Sequence, residues 1–320
     1  MGFEHDSAFG QDCMFGGLDF NKLDVADITS SSDEESDSEE TGPQASGYDP
    51  TRVDELLQFQ DELPCATEDD FDELFAWVQR QGADLKGIRY DRDNHCGRTL
   101  YASRKVSEGG LLATLPRSLR FGQAYACREL DLPLDTPDLS ALTLLVLSLC
   151  KDEHIYARCL PRKSEFTNAL LMTKQEQFEW EDRMGSEYAD AFRAMQSRGK
   201  SCGLYIRDYL SSVSVHSDID AIEPMVNNEF DTATLYWAMS MVKSRSHAFG
   251  SKRGFWLTPI FDLVNHSPAP NARLEGDSSG YLVMKALRDI QSNEEITIDY
   301  QVKDDPMLVA TYGFSLKAGA

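Results

Sequence analysis

Long apolar runs are missing from this 320-residue sequence, and so is any excess of positive charge. The most hydrophobic stretch, 139–150, falls short of the roughly 18 to 20 apolar residues that a membrane-crossing helix needs. The first residues carry Glu4, Asp6 and Asp12 with no basic and apolar segments behind them, so a secretory signal is not expected. Lysine and arginine total 31 against 54 aspartates and glutamates, which argues against nucleic acid as a partner. The seven cysteines (13, 65, 96, 127, 150, 159 and 202) are odd in number, scattered, and form no C-x-x-C pair. That spacing suits reduced, mostly buried thiols better than a disulfide framework or a structural zinc site. These absences predict a soluble protein of the cytoplasm or nucleus, with no metal, membrane or nucleic acid implied.

What is present is uneven. Residues 1–50 hold 13 acids and one base, and residues 51–73 hold nine acids and one base. The remaining 247 residues are almost balanced, 32 acids against 29 bases. The net charge of -23 therefore belongs to a leader, not to the body. Residues 1–48 lack apolar periodicity and include the run Ser30-Ser31-Ser32-Asp33-Glu34-Glu35-Ser36-Asp37-Ser38-Glu39-Glu40, so self-repulsion is expected to keep them disordered. Serines followed by acids are candidate sites for an acid-directed kinase, Ser32, Ser36 and Ser38 among them. Hydrophobic residues at 41% and aromatics at 10% give the rest enough material for a core.

Structure is expected from about residue 50, with helices over 49–84. Thr67-Glu68-Asp69-Asp70 reads as a capping box, followed by Phe71, Leu74, Phe75 and Val78 at helical spacing, with a stop near Gly82. Short β-like runs follow at 85–90, 99–103 and 111–115, punctuated by Gly97, Gly109-Gly110 and Pro116. The middle turns helical, at 139–150, 174–198, 204–213 and 231–242. Strand patterns return at 272–275, 281–286 and 295–300 before a closing helix at 306–312. Strands flanking a helical insert give an α+β architecture, without internal repeats.

Gly276-Asp277-Ser278-Ser279-Gly280 fits the G-x-S-x-G pattern of a hydrolase nucleophile elbow. An elbow needs a strand before the serine and a helix after it, whereas both flanks here read as strands, and no histidine follows Ser278. A hairpin loop is the better reading. The informative block is later and longer. It contains Arg245 at a helix end, Pro259-Ile260-Phe261-Asp262-Leu263-Val264-Asn265-His266, Glu294-Glu295-Ile296-Thr297-Ile298-Asp299-Tyr300, and Tyr312-Gly313-Phe314. Taken singly, Asn265-His266 reads as a turn with a satisfied histidine and Tyr300 as a packed aromatic.

In this order and spacing the pieces resemble the C-terminal half of the SET-domain methyltransferases. The similar subgroup is the one typified by the Rubisco large-subunit lysine methyltransferase and its non-histone lysine and actin-histidine relatives. Gly97-Arg98-Thr99-Leu100-Tyr101-Ala102 and 111–116 resemble the first SET segment, and 119–230 the subgroup's helical insert. The resemblance implies small β-sheets around the insert, with 85–118, 119–230 and 231–320 as the three parts of one SET domain. It also implies transfer of a methyl group from S-adenosylmethionine to a protein lysine, without a metal. The acceptor's ammonium, with a pKa of about 10.4, must lose its proton before it can attack.

By the same resemblance, Tyr300 is the catalytic tyrosine. Gly97, Arg98, Leu100, Gly110, Leu111, Leu112, Arg245, Asp262, Asn265, His266 and Tyr312 surround the cofactor, Arg245 pairing with its carboxylate. Phe314 and His247 would line the substrate channel. Two alternatives stay open: a catalytically inactive SET-like module that binds a protein, and histidine as the acceptor. The chain departs from the family pattern at Thr99 and Gln301, where glycines are usual. The family's members usually continue into a helical substrate-binding domain, whereas this sequence stops at Ala320, so either the substrate is gripped differently or the chain is truncated. A protein substrate and a monomeric state are the expected associations.

Overall fold

The computed structural model describes residues 65–93, 97–214, 232–249, 254–277, 279–302 and 304–317. The acidic leader with Ser32, Ser36 and Ser38, and the start of the segment expected to be helical from residue 49, lie outside them. Helix α1 (Glu68–Arg80) begins at the predicted capping box: the Thr67 hydroxyl accepts from the Asp70 N–H, and the Asp70 carboxylate accepts from the Thr67 N–H. Phe71, Leu74 and Val78 are its buried face, each contributing roughly 1.5–3 kcal/mol by burial.

Strands β1 (Ile88–Asp93) and β2 (Gly97–Ala102) pair antiparallel, followed by β3 (Leu111–Leu115) and the two-residue β4 (Phe121–Gly122). The helical middle comprises α2 (Gln123–Leu130), α3 (Asp138–Lys151), the single turn α4 (Ile155–Arg158), α5 (Lys174–Met184), α6 (Ser186–Ser214) and α7 (Thr232–Arg245). Then come β5 (Ser246–Phe249), β6 (Gly254–Leu257), β7 (Asn265–His266), β8 (Ala272–Gly276), β9 (Leu282–Ala286), β10 (Thr297–Ile298) and α8 (Asp305–Tyr312). Small sheets result: β1-β2, β3-β9-β8, β4-β6-β5 and the parallel pair β10-β7. The expected α+β arrangement of short strands around a helical insert is what the chain adopts.

Several local expectations need correction. A helix over 174–198 is broken at Gly185, whose φ of +111° suits only glycine, and a new helix then runs unbroken through 198–204. Gly199 lies inside that helix because of packing: a Cβ there would sit 2.6 Å from Leu170 Cδ2. The strand expected over 295–300 reduces to Thr297–Ile298 with an isolated bridge at Glu295. Helix α2 and the β5-β6 hairpin were not legible, being short and without clean periodicity. The hairpin reading of the G-x-S-x-G stretch holds, since β8 and β9 pair antiparallel across it; Ser278 itself is outside the described residues.

Candidate active site

A two-residue parallel ladder organises the site. Asn265 pairs with Thr297 and His266 with Ile298, although a whole hairpin separates them in sequence. The residues just before β10 lie along β2: the Ile296 N–H donates to the Leu100 carbonyl at 2.8 Å and the Ala102 N–H to the Glu294 carbonyl at 2.9 Å. Three distant segments, 97–102, 265–266 and 293–300, are thereby fixed side by side.

Tyr300 emerges from this ladder. Its hydroxyl donates to the Val264 carbonyl at 2.7 Å, immediately before Asn265, and its N–H donates to His266 Nδ1 at 3.1 Å. Burial pushes the phenol well above the ordinary tyrosine range, with Arg245 pulling the other way, so at neutral pH it is a donor and not a base. An Nδ1 that accepts leaves the proton of the imidazole on Nε2. Burial, opposed by Asp299 and a backbone bond to Ile298, keeps His266 below the usual histidine range and neutral. Tyr312 packs 4.6 Å from the Tyr300 ring, and Phe314 lies 6.1 Å from both His266 and Tyr312. The rings of His266, Tyr300, Tyr312 and Phe314 thus form one cluster.

Behind it lies a charged layer. Ile260, a β-branched residue at φ +74° and ψ −48°, makes a tight turn into the 3-10 segment Phe261–Leu263. Such a conformation costs on the order of 1–3 kcal/mol and persists only where the surroundings enforce it. It carries Asp262 inward, where burial raises the carboxyl to about 6 against the opposing pull of Arg245 and Tyr156. Arg245 Nη1 donates to the Asp262 carbonyl at 3.0 Å and lies 3.9 Å from its Oδ2. Arg245 Nε is buried and has no hydrogen-bond partner among the described residues. The Arg98 guanidinium donates to the Cys159 carbonyl and to Glu165 at 2.7 Å, and is close enough to Arg245 to feel its charge.

The sequence did not reveal how Asn265 is oriented. Glu295 Oε1 accepts from Asn265 Nδ2 at 3.0 Å and from the Thr99 hydroxyl at 2.8 Å. The amide nitrogen is thus pinned and the amide oxygen turned to the other side. Thr99, noted as a departure from a usual glycine, is the third member of this clamp. No sequence signal links Thr99 to Glu295; only the fold does.

Not every expected residue joins the cluster. Leu100 is a core side chain, and only its backbone reaches the site. Gly97 contributes its place opposite Asp93 in the β1-β2 ladder. Gly110, Leu111 and Leu112 sit in and before β3, bonded to Ser107, Ala286 and Gly87, and none of those bonds reaches Asn265 or Tyr300. His247 packs beside Arg245 with its imidazole bonded to the backbone at Phe261; burial lowers it to about 4, so it is neutral. An open hollow of about 280 Å³, lined by Thr167, Met172, Glu176, Glu179, Trp180 and Arg183, contains none of the expected residues. Among the described residues, no helix is long and apolar enough to cross a membrane, and no three His, Cys, Asp or Glu side chains group to hold a metal ion.

The actin-histidine N-methyltransferase of Canis lupus familiaris is 24% identical over 265 residues, covering 77% of this chain and 43% of that protein. The chain thus spans less than half the length of this curated relative. The SET domain of LSMT bound to lysine and AdoHcy superposes with a TM-score of 0.58 at 16% identity, covering 77% of this chain and 57% of that one. Rubisco LSMT bound to AdoMet gives 0.57 at 15% identity, over 78% and 57%. The SET-domain profile itself matches residues 97–301, which run from the start of β2 to the residue after Tyr300. With β2, the Asn265-His266 strand and Tyr300 brought together as described, the chain belongs to the SET-domain family.

Proposed function

We propose that the chain is an S-adenosylmethionine-dependent protein methyltransferase of the cytoplasm or nucleus, acting through a SET domain over 85–320 on a lysine side chain. The observation that carries this reading is the Tyr300 hydroxyl held at the Val264 carbonyl, next to Asn265-His266 and within one aromatic cluster. The residues also suit the cofactor. Arg245 presents a buried Nε without a partner among the described residues, the kind of donor a carboxylate takes. Asn265, pinned through its nitrogen, offers its oxygen to a donor. When bound, the cofactor supplies a methyl group on a sulfonium, so that the acceptor's lone pair forms the N–C bond as the S–C bond breaks.

The protein's own work is then alignment. Tyr300, protonated, orients the acceptor and the methyl group through polar contact, and the rings of Tyr300, Tyr312 and Phe314 tolerate a methylated cation. A phenol with so high a pKa takes no proton, so the lysine proton leaves to water. Histidine is the second reading, favoured by the relative named above. A neutral imidazole already has a lone pair and needs no proton removed before attack.

The test uses a tritiated methyl donor with cell lysate as substrate, followed by acid hydrolysis and separation of methyl-lysine from methyl-histidine. Label in methyl-lysine is expected, and label in methyl-histidine selects the second reading. Tyr300→Phe should lower turnover about a hundredfold while cofactor affinity changes less than about threefold. A protein that binds the cofactor yet labels nothing would be a SET-like interaction module instead. One that binds no cofactor overturns the assignment.

A further inference from the structure

Tyr156 has no part in the motifs that identified the site. It lies in α4, within the helical insert, and is 1% exposed. Its hydroxyl donates to Asp262 Oδ2 at 2.8 Å. A buried tyrosine generally finds a partner for its hydroxyl, but this partner is the carboxylate that faces Arg245. The arginine is held from one side only, by the Asp262 carbonyl and side chain, with its Nε left over. Arg98 adds a second positive charge close by, so Arg245 stays in place against repulsion.

We propose that Tyr156 is a positioning residue for methyl transfer: by fixing the Asp262 carboxylate it holds Arg245 with its unpartnered nitrogen toward the carboxylate of S-adenosylmethionine. This rests on the function proposed above. It gives the insert a role in the site and not only in packing, because α4 reaches the Asp262 carboxylate through this hydroxyl. Each link in the chain Tyr156, Asp262, Arg245 comes from a different element, so no local rearrangement replaces a missing member.

The electrostatics give a signature. Facing Asp262 are the Tyr156 hydroxyl and Cys159 from the insert, Arg245 at the end of α7, Arg98 from β2 and the Tyr300 phenol, with neutral His247 on the adjoining backbone. Its carboxyl is raised to about 6 by burial, and the Tyr156 bond is one of the influences opposing that rise. Above that pH the carboxylate anchors Arg245 and adds negative charge beneath a net cationic ligand. Below it both contributions fade, so cofactor binding weakens as pH falls through about 6.

The experiment is calorimetric titration of the full chain with S-adenosylmethionine from pH 5 to 8, for wild type, Tyr156→Phe, Asp262→Asn and the double variant, each with its melting temperature. Tyr156→Phe keeps the ring and is expected to raise Kd about tenfold, the scale of one hydrogen bond to a charged group. Its acid midpoint should also move upward by about one pH unit, since a restraint on Asp262 protonation is gone. In Asp262→Asn the acid midpoint should vanish, and adding Tyr156→Phe should cost no further affinity. A Tyr156→Phe protein that binds with unchanged Kd and midpoint overturns the proposal while leaving the function standing. So does one that only melts earlier with its midpoint unmoved. A wild type that binds no cofactor at any pH overturns both.

Discussion

The clamp on Asn265 can be tested by removing a single oxygen. Thr99→Val preserves the shape of a side chain that is 0% exposed, so no cavity opens and no water enters in its place. What is lost is the 2.8 Å bond to Glu295, whose Oε1 then keeps only Asn265 Nδ2 at 3.0 Å. A bond to a charged acceptor contributes about 1.5–3 kcal/mol, and because Glu295 is half-buried and can recruit water, the lower end applies. A loss of about 1.5 kcal/mol lowers the melting temperature of a domain this size by about 3–6 °C. With Glu295 less restrained, the amide of Asn265 is less well oriented, and S-adenosylmethionine affinity should fall by about three- to tenfold. Thermal melts and calorimetry measure both effects, with Thr99→Ser as the control that keeps the hydroxyl. If Thr99→Val melts and binds as wild type does, the hydroxyl does not hold Glu295, and the account of Asn265 is wrong. A melting shift with unchanged affinity limits the bond to stability.

Three other perturbations test different parts of the protein. Gly313→Ala places a Cβ 2.0 Å from the Thr167 carbonyl oxygen at φ +79°, and should cost more than about 2 kcal/mol while displacing Phe314, as denaturant unfolding would report. Gln301 adopts φ +59°, a left-handed conformation that disfavours L side chains, so Gln301→Gly should stabilise the protein by roughly 1 kcal/mol in the same assay without weakening cofactor binding. Burial alone would raise Asp305, but bonds from Tyr188, Ser315 and the Leu316 N–H more than offset it and hold the carboxyl below its ordinary value. Its contribution is therefore complete above the unfolded pKa of about 4 and is lost as pH falls through the lower folded value. Melting curves from pH 3 to 6 should steepen at the acid end in wild type and less so in Asp305→Asn.

What could be read in the sequence was whatever local chemistry dictates. The capping box at Thr67 and the apolar spacing behind it are complete within a dozen residues, and α1 forms as they require. The β8-β9 hairpin is similarly local. Glycine proved ambiguous: Gly185 ends a helix through its φ, whereas Gly199 sits within one because Leu170 leaves no room for a Cβ. At the site, motif order singled out Tyr300, Asn265, His266, Arg245 and Asp262, and the fold brings Tyr300 beside Asn265-His266 and Arg245 beside Asp262. It could not supply Tyr156 or Glu295, because a hydrogen bond spanning 106 or 196 residues leaves no trace in either local pattern. Thr99 stood out only as a departure from glycine, and its hydroxyl acquired a purpose once Ile296 was laid along Leu100.

That dependence on distant pairing sets how the site assembles. Asn265-His266 is two residues long, too short to persist as a strand alone, and its parallel partner Thr297–Ile298 is no longer. Neither has a tight turn to the other, because parallel strands need a crossover, and here the crossover contains the β8-β9 hairpin, itself paired to β3. The ladder gains its support from what surrounds it: buried Ile296 and Ile298, the Leu100 carbonyl, and Asn271, which binds the Thr297 N–H at 2.8 Å. Loop closure is thus paid before any of these contacts is gained. The Tyr300 hydroxyl meets the Val264 carbonyl only after β2, β7 and β10 have all met. Cofactor binding should accordingly be lost together with the tertiary structure on denaturant titration, in a single transition, with no partly unfolded species retaining the site. A binding signal that outlasts the loss of near-ultraviolet circular dichroism would show that the ladder stands without its surroundings, contrary to this reasoning.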